Sequence, residues 1–101
     1  MFQELQDWAQ VEKATKPVIV KFETDWCGWC RRLTQELLRL APEFGHRYIW
    51  FTVNTDTHPE LARRFQIATV PTMICFEHGR PVRRTEGVYA HEIRPFLAGE
   101  D

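Results

Sequence analysis

Two cysteines separated by two residues stand where a short apolar run gives way to a helical pattern. They are Cys27 and Cys30 of the segment 25–30, Asp-Trp-Cys-Gly-Trp-Cys. The preceding run, residues 17–22, is rich in β-branched residues and is typical of a buried strand, whereas the leucines that follow recur at helical spacing. The pattern predicts that Cys27 lies where a helix begins and that Cys30 lies about one turn inside it.

The start of a helix stabilises an anion, because unpaired backbone N–H groups and the positive end of the helix dipole lie there. A thiolate is such an anion, and a CxxC pair at a helix start is a known setting for reactive thiolates. The sequence therefore predicts Cys27 as an exposed nucleophile and Cys30 as its shielded partner. Cβ atoms three residues apart on a helix are about 5–6 Å from each other and a disulfide needs about 3.5–4.5 Å, so a slight tightening would close the ring.

The segment resembles the motif of the thioredoxin superfamily, Trp-Cys-Gly-x-Cys at a strand-to-helix junction. The resemblance spans residues 17–97. Within this span it is also carried by segments 53–56, 68–72 and 78–79 and by Gly87, which follow one another in family order. It implies an α/β thioredoxin-like fold, a mixed sheet flanked by helices on both faces, and a protein disulfide oxidoreductase. The redox group that it implies is the dithiol of Cys27 and Cys30, with no bound metal or nucleotide.

The N-terminal segment predicts a departure from that fold. Phe2, Leu5, Trp8 and Ala9 follow helical spacing, so we predict a first helix that runs to about Ala14. Such a helix leaves no room for the strand with which the family's fold begins. The predicted sheet therefore has four strands, the N-terminal strand being absent.

The rest of the chain is predicted to complete one domain, residues 1–101. Strands are expected at 18–23, 48–53, 72–76 and 81–87. Helices are expected at 28–42 and around 93–97, and a short helix is expected to begin after a capping residue at 56 or 57. The first two strands are expected to be parallel, and the last two to form an antiparallel hairpin. Pro95 is expected near the first turn of the last helix, where a missing N–H costs least.

Val70 and Pro71 form the second functional element that the resemblance implies. Family members hold the corresponding proline in the cis form, facing the dithiol. The implied role of Pro71 is to pack against the disulfide and to keep metal ions away from the thiols. The backbone of Val70 would pair with an extended substrate segment by strand addition.

Lys21 departs from the family pattern, because many members carry a buried acid at this place beneath the second cysteine. Lys21 and Glu23 alternate on one face of the predicted strand. Glu23 could therefore replace the acid as the base for Cys30, or the two residues could form an ion pair. The alternative is that Lys21 snorkels outward, that Glu23 is merely solvated and that water takes the proton.

Trp29 is the other departure, because proline or histidine is commoner between the family's cysteines. Together with Trp26 and Gly28 it is predicted to bind substrate, the two indoles offering an apolar surface to unfolded or apolar peptide segments. The alternative is that Trp29 packs back onto its own domain.

The implied mechanism is attack by the Cys27 thiolate on a substrate disulfide, followed by resolution by Cys30. In reverse the protein would donate a disulfide, as an oxidase or isomerase does, and a non-catalytic adaptor is a third possibility. The expected partners are proteins that contain disulfides, together with an upstream reductase or a small thiol.

Thirteen basic and 14 acidic residues give a net charge of -1, which argues against nucleic acid or an anionic membrane as a partner. No run is long enough to span a membrane, and the N-terminus lacks a signal-peptide pattern. We therefore expect a cytoplasmic monomer, although a mature periplasmic domain would look the same.

Zinc binding is an alternative from another class, since CxxC is half of a zinc site. The sequence has no second CxxC, and the four histidines show no ligand spacing. Cys75 lies in an apolar run and is expected to be a small buried hydrophobe.

Overall fold

The computed structural model describes residues 1–99, so that residues 100 and 101 of the predicted domain lie outside it. Within this range the strands are β1 (Phe2–Glu4), β2 (Val18–Glu23), β3 (Ile49–Asn54), β4 (Thr72–Glu77) and β5 (Arg80–Glu86). The helices are α1 (Ala9–Glu12), α2 (Gly28–Phe44), α3 (Pro59–Arg64) and α4 (Ala90–Ala98), and a 3-10 turn covers Gly45–Arg47.

The strands form one mixed sheet in the order β1-β3-β2-β4-β5. The strands β1, β3 and β2 are parallel, whereas β4 runs antiparallel to β2 and β5 runs antiparallel to β4. The predicted parallel pair and the antiparallel hairpin are thus confirmed. The sheet is covered on both faces, as predicted: Leu33 of α2 and Ile93 of α4 belong to one buried cluster, and Val11 of α1 belongs to the other.

The central strand β2 supplies side chains to both clusters. Ile19 belongs to the cluster shared with α2 and α4, and Val20 and Phe22 belong to the cluster on the α1 side. Because side chains alternate along a strand, Lys21 and Glu23 project from the same face as Ile19. This is the face that α2 covers.

The prediction of a four-stranded sheet without an N-terminal strand is wrong. Residues 2–4 form β1, which pairs with residues 50–52 of β3. The pairing satisfies backbone groups at that edge of the sheet, and the Phe2 ring packs edge-on against Trp50 with 5.4 Å between ring centroids. Of the residues that match helical spacing, Phe2 belongs to the sheet, and only Trp8 and Ala9 lie at the start of the helix.

The first helix is correspondingly short, covering only Ala9–Glu12. Its start is stabilised from outside: the Asp7 carboxylate accepts the backbone N–H of Ala9 at 3.0 Å, and the Gln10 side chain accepts that of Gln6 at 2.8 Å. Aspartate followed three residues later by glutamine is a capping pattern. It was the sequence signal for a helix that begins after residue 7.

Other boundaries differ from the predicted ones in smaller ways. The helix α2 continues to Phe44, and α3 begins after His58, which makes no side-chain cap, rather than after a cap at 56–57. Pro95 lies inside α4 and not near its first turn. The carbonyl that loses a partner there belongs to His91, an exposed residue, so water can replace the missing N–H.

Candidate active site

The dithiol lies where β2 leads into α2. Cys27 is the N-cap of α2 in an extended conformation, and its sulfur accepts the backbone N–H of Cys30 at 3.1 Å. Cys30 is the third residue of the helix, and both side chains are free thiols. The Cys27 sulfur thus occupies the position at which serine or aspartate oxygens usually cap a helix. A negative charge on this sulfur would be stabilised by the same N–H group.

Cys27 is more covered than predicted. It is 6 % exposed, against 2 % for Cys30, and its thiol points to the carbonyl oxygen of Val70 at 3.8 Å. The expectation of an exposed first sulfur is therefore wrong for the dithiol form, because the loop before β4 lies over it. The order of exposure is nevertheless the expected one, and a substrate has to approach Cys27 past Val70.

The loop that covers Cys27 is hydrogen-bonded to the segment that follows β5. The Val70–Pro71 peptide bond is cis, and Pro71 immediately precedes β4. The carbonyl of Pro71 accepts the backbone N–H of Gly87 at 2.8 Å. The dithiol, the loop and the segment after β5 therefore meet in one place.

Lys21 and Glu23 form a pair on the face of β2 that α2 covers. Lys21 is 2 % exposed, its ammonium donates a hydrogen bond to the Glu23 carboxylate, and Nζ lies 4.8 Å from the centre of the Phe2 ring. Glu23 keeps 28 % of its side chain exposed. The alternative in which Lys21 snorkels to water is wrong, and the alternative of an ion pair describes the contact.

Burial raises the pKa of the Cys30 thiol from its ordinary value of 9.0 to about 12. The hydrogen bond with Cys27 and the negative charges of Cys27 and Glu23 act in the same direction, while a hydrogen bond with the Thr24 backbone opposes them. Cys30 therefore keeps its proton at neutral pH in the dithiol form. It needs a base in order to act as a nucleophile.

This pKa predicts that the reduced protein loses stability in alkali. Between pH 9 and about 12 the unfolded chain releases a proton that folded Cys30 retains, so the contribution is complete below pH 9 and is lost as the pH rises. The loss amounts to at most about 1.4 kcal/mol per pH unit. Urea unfolding of the reduced parent and of Cys30→Ala at pH 8 and 10.5 measures it. We expect a steeper loss for the parent; equal losses would contradict the prediction.

The two tryptophans of the motif are both exposed. The Trp26 indole donates to the Asp56 carboxylate at 2.9 Å, and the Arg32 guanidinium lies 5.7 Å from the centre of the Trp29 ring. Because 60 % of Trp29 is exposed, the alternative in which it packs back onto its own domain is wrong.

At Gly28 a Cβ atom would meet only the end of the Arg31 side chain at 3.7 Å, so space alone does not require glycine.

A cleft of about 360 Å³ opens beside Val70 and Pro71, and sequence reasoning missed most of it. Its walls also include Trp29, Thr69, Glu86, Gly87, Val88 and Tyr89. Tyr89 faces solvent over 61 % of its surface. The sequence did contain a signal for this wall of the cleft. The resemblance had already placed Gly87 near the site, and Tyr89 is an aromatic residue two positions after it.

Cys75 is fully buried in β4, where the Arg83 guanidinium donates to its sulfur at 3.5 Å and burial raises the pKa of the thiol. This fits the expected small buried hydrophobe. Among residues 1–99 no three His, Cys, Asp or Glu side chains come close enough together to hold a metal ion. None of the helices in this range combines the length and the apolar character needed to cross a membrane.

Comparison with known proteins agrees with this geometry. The family model for thioredoxin matches residues 3–98. The chain is 39% identical over 77 residues to a thioredoxin of Mycobacterium bovis, which covers 76% of this chain and 66% of that protein. It is 40% identical over 80 residues to a bifunctional thioredoxin reductase/thioredoxin of Mycobacterium leprae, which covers 79% of this chain and 18% of that protein.

The fold has solved counterparts as well. The crystal structure of Fasciola hepatica thioredoxin superposes with a TM-score of 0.77 at 24% identity, covering 92% of this chain and 88% of that one. This likeness concerns the fold alone. The chain spans about two thirds or less of the length of the two mycobacterial relatives.

Proposed function

The chain belongs to the thioredoxin family, and from this premise we propose that it is a thiol-disulfide oxidoreductase that reduces disulfides in protein substrates. The observation that carries the proposal is the position of the two thiols. One caps α2 beneath the Val70 carbonyl, and the other lies one turn inside the same helix. A helix start of this kind supports a sulfur nucleophile and keeps its partner within reach.

Reduction proceeds through two successive thiol–disulfide exchange reactions. The Cys27 thiolate attacks a substrate disulfide, so that a bond between Cys27 and the substrate forms while the substrate's other sulfur leaves as a thiolate. Cys30 then attacks the Cys27 sulfur, which closes the internal disulfide and releases the second substrate thiolate. Two electrons pass from the dithiol to the substrate. The dithiol is the redox group, and an upstream reductase or a small thiol restores it.

Glu23 is the proposed base for the second exchange, and Lys21 is the proposed positioning residue. Glu23 is close enough to Cys30 for its negative charge to contribute to the raised pKa of that thiol. The buried ammonium of Lys21 holds the Glu23 carboxylate by a hydrogen bond. Removal of the Cys30 proton by Glu23 during the attack would supply the thiolate that burial disfavours.

The proposed direction is reduction, with a reductase as the electron donor. Support comes from the Mycobacterium leprae relative, whose name joins a thioredoxin reductase to a thioredoxin. We further propose that the protein works as a monomer in the cytoplasm, where thiols are kept reduced. Trp26, Gly28, Trp29 and the Val70 backbone are proposed to contact the substrate.

Equilibration with glutathione tests both the function and its direction. We expect the pair of Cys27 and Cys30 to interconvert fully between dithiol and disulfide, with a reduction potential nearer to about -270 mV than to about -120 mV. A potential near the latter value would make the protein a disulfide donor, as in an oxidase or isomerase. Thiols that do not cycle at all would leave an adaptor role or, if zinc copurifies, a metal site.

A further inference from the structure

We propose that Arg84 is a positioning residue for the reaction. It anchors the start of the loop that covers Cys27, which we call the covering loop (residues 65–71), and so fixes the Val70 backbone over the sulfur that a substrate must reach. The inference rests on the proposed function, because the loop governs access to the same nucleophile. It adds a residue of β5, the strand at the far edge of the sheet.

The register of the sheet brings Arg84 to the start of the covering loop. Arg84 pairs with Ile74 of β4, and the side chains of directly opposite residues lie on the same face of a sheet. Ile74 belongs to the buried cluster on the α1 side, against which Phe65 packs. Phe65 ends α3, and the last carbonyl groups of a helix lack partners within the helix.

The Arg84 guanidinium binds two consecutive carbonyl groups at this place. Its Nη1 donates to the Phe65 carbonyl, and its Nη2 donates to the Gln66 carbonyl at 2.8 Å. Glu86, on the same strand, accepts the Nε–H of Arg84 at 3.2 Å and so orients the guanidinium. Arginine presents its donors in a planar, fixed fork, whereas the lysine ammonium is a single flexible point. Lysine would therefore not reproduce this arrangement.

The backbone that Arg84 holds is one that a side chain disfavours. Gln66 has a φ of +52°, in the left-handed region that costs little only for glycine. The chain changes direction here between α3 and the covering loop, so relaxation of Gln66 would redirect the residues that follow. The hydrogen bond from Arg84 to the Gln66 carbonyl opposes that relaxation.

The anchor lies only a few residues before Val70, and the other end of the covering loop is anchored as well. The Thr69 carbonyl accepts the Thr72 hydroxyl at 2.7 Å, and the Pro71 carbonyl accepts the Gly87 N–H at 2.8 Å. Between these anchors the Val70 carbonyl stands 3.8 Å from the Cys27 sulfur. Release of the Arg84 anchor should therefore uncover Cys27 and loosen the backbone with which a substrate segment would pair.

Arg84→Ala tests the inference through two rates that should move in opposite directions. Alkylation of Cys27 by iodoacetamide in the reduced protein, located by peptide mapping, should become about fivefold faster, because the loop opens more often. The kcat/KM for reduction of insulin should fall about tenfold, mainly through KM, because the Val70 backbone is no longer held in place.

Two further variants test the route by which Arg84 acts. Arg84→Lys keeps the charge without the fork and should behave like Arg84→Ala. Gln66→Gly added to Arg84→Ala should bring both rates about threefold closer to the parental values, since glycine adopts a positive φ without an anchor. A double variant that recovers neither rate would overturn the inference.

Arg80→Ala is the matched control, because it removes an arginine from the opposite end of β5, where Arg80 pairs with Glu77. It should leave both rates unchanged. Parental rates in Arg84→Ala, or alkylation that rises equally at the buried Cys75, would overturn the inference and leave the proposed function intact. Failure of the parent to reduce insulin would overturn the proposed function as well.

Discussion

Cys30→Ser is expected to arrest the protein as a covalent complex with its substrate, and Cys27→Ser is expected to abolish the reaction. Cys27 makes the first bond to the substrate, and Cys30 supplies the sulfur that breaks it. Without Cys30 the mixed disulfide has no internal nucleophile and accumulates. Without Cys27 the remaining thiol is buried, and burial raises its pKa and so keeps it protonated at neutral pH.

Reduction of insulin disulfides and mass spectrometry under non-reducing conditions measure the two outcomes. The rate for Cys27→Ser should fall by a factor on the order of a thousand or more. Cys75→Ala is the matched control: it also removes a buried thiol, but one on β4 outside the pair, and it should retain parental activity. A substrate adduct on Cys30 in Cys27→Ser would contradict the assigned order of attack.

The dithiol could be located from the sequence because its determinants are local. A β-rich run, a CxxC and leucines at helical spacing lie within residues 17–41, and together they fix where the strand ends and the helix starts. The capping position of Cys27 follows from that junction. The fold followed from the same unit, extended by the resemblance of the later segments.

The features that sequence reasoning missed depend on contacts between distant parts of the chain. Cys27 is covered by the Val70 carbonyl, 43 residues further along. Phe2 joins a strand only because β3 offers it an open edge, a contact that helical spacing cannot reveal. Tyr89 comes to line the cleft beside Val70 and Pro71 because the N–H of Gly87 is bonded to the Pro71 carbonyl. A pattern read along the chain carries no information on such pairings.

Glu23→Gln is expected to be more damaging than Lys21→Met, although both break the same ion pair. Loss of Glu23 leaves the ammonium of Lys21 buried without its partner, and an uncompensated buried charge costs about 3 kcal/mol or more. Loss of Lys21 leaves a carboxylate that is 28 % exposed, which water can hydrate in place. A methionine also fills the volume of the lysine stem, so the second change should cost less.

The effect on catalysis should separate base from positioning residue. Glu23→Gln is expected to slow release of substrate from the mixed disulfide about 100-fold at pH 7, because Cys30 then loses its proton only to water. That deficit should shrink as the pH rises, because hydroxide then replaces the carboxylate as the base for a thiol whose pKa burial raises. Lys21→Met retains the carboxylate and should show a smaller deficit.

Single-turnover decay of a preformed Cys27 adduct from pH 6 to 10 measures that release step, and urea unfolding measures stability. Glu77→Gln is the matched control. Glu77 is an exposed acid at the last position of β4, whereas the dithiol lies near the other end of this strand, which begins at Thr72. A deficit for Glu23→Gln that does not change with pH would assign the pair to structure alone. Release as fast as in the parent would leave water as the base and would make the pair irrelevant to the second exchange.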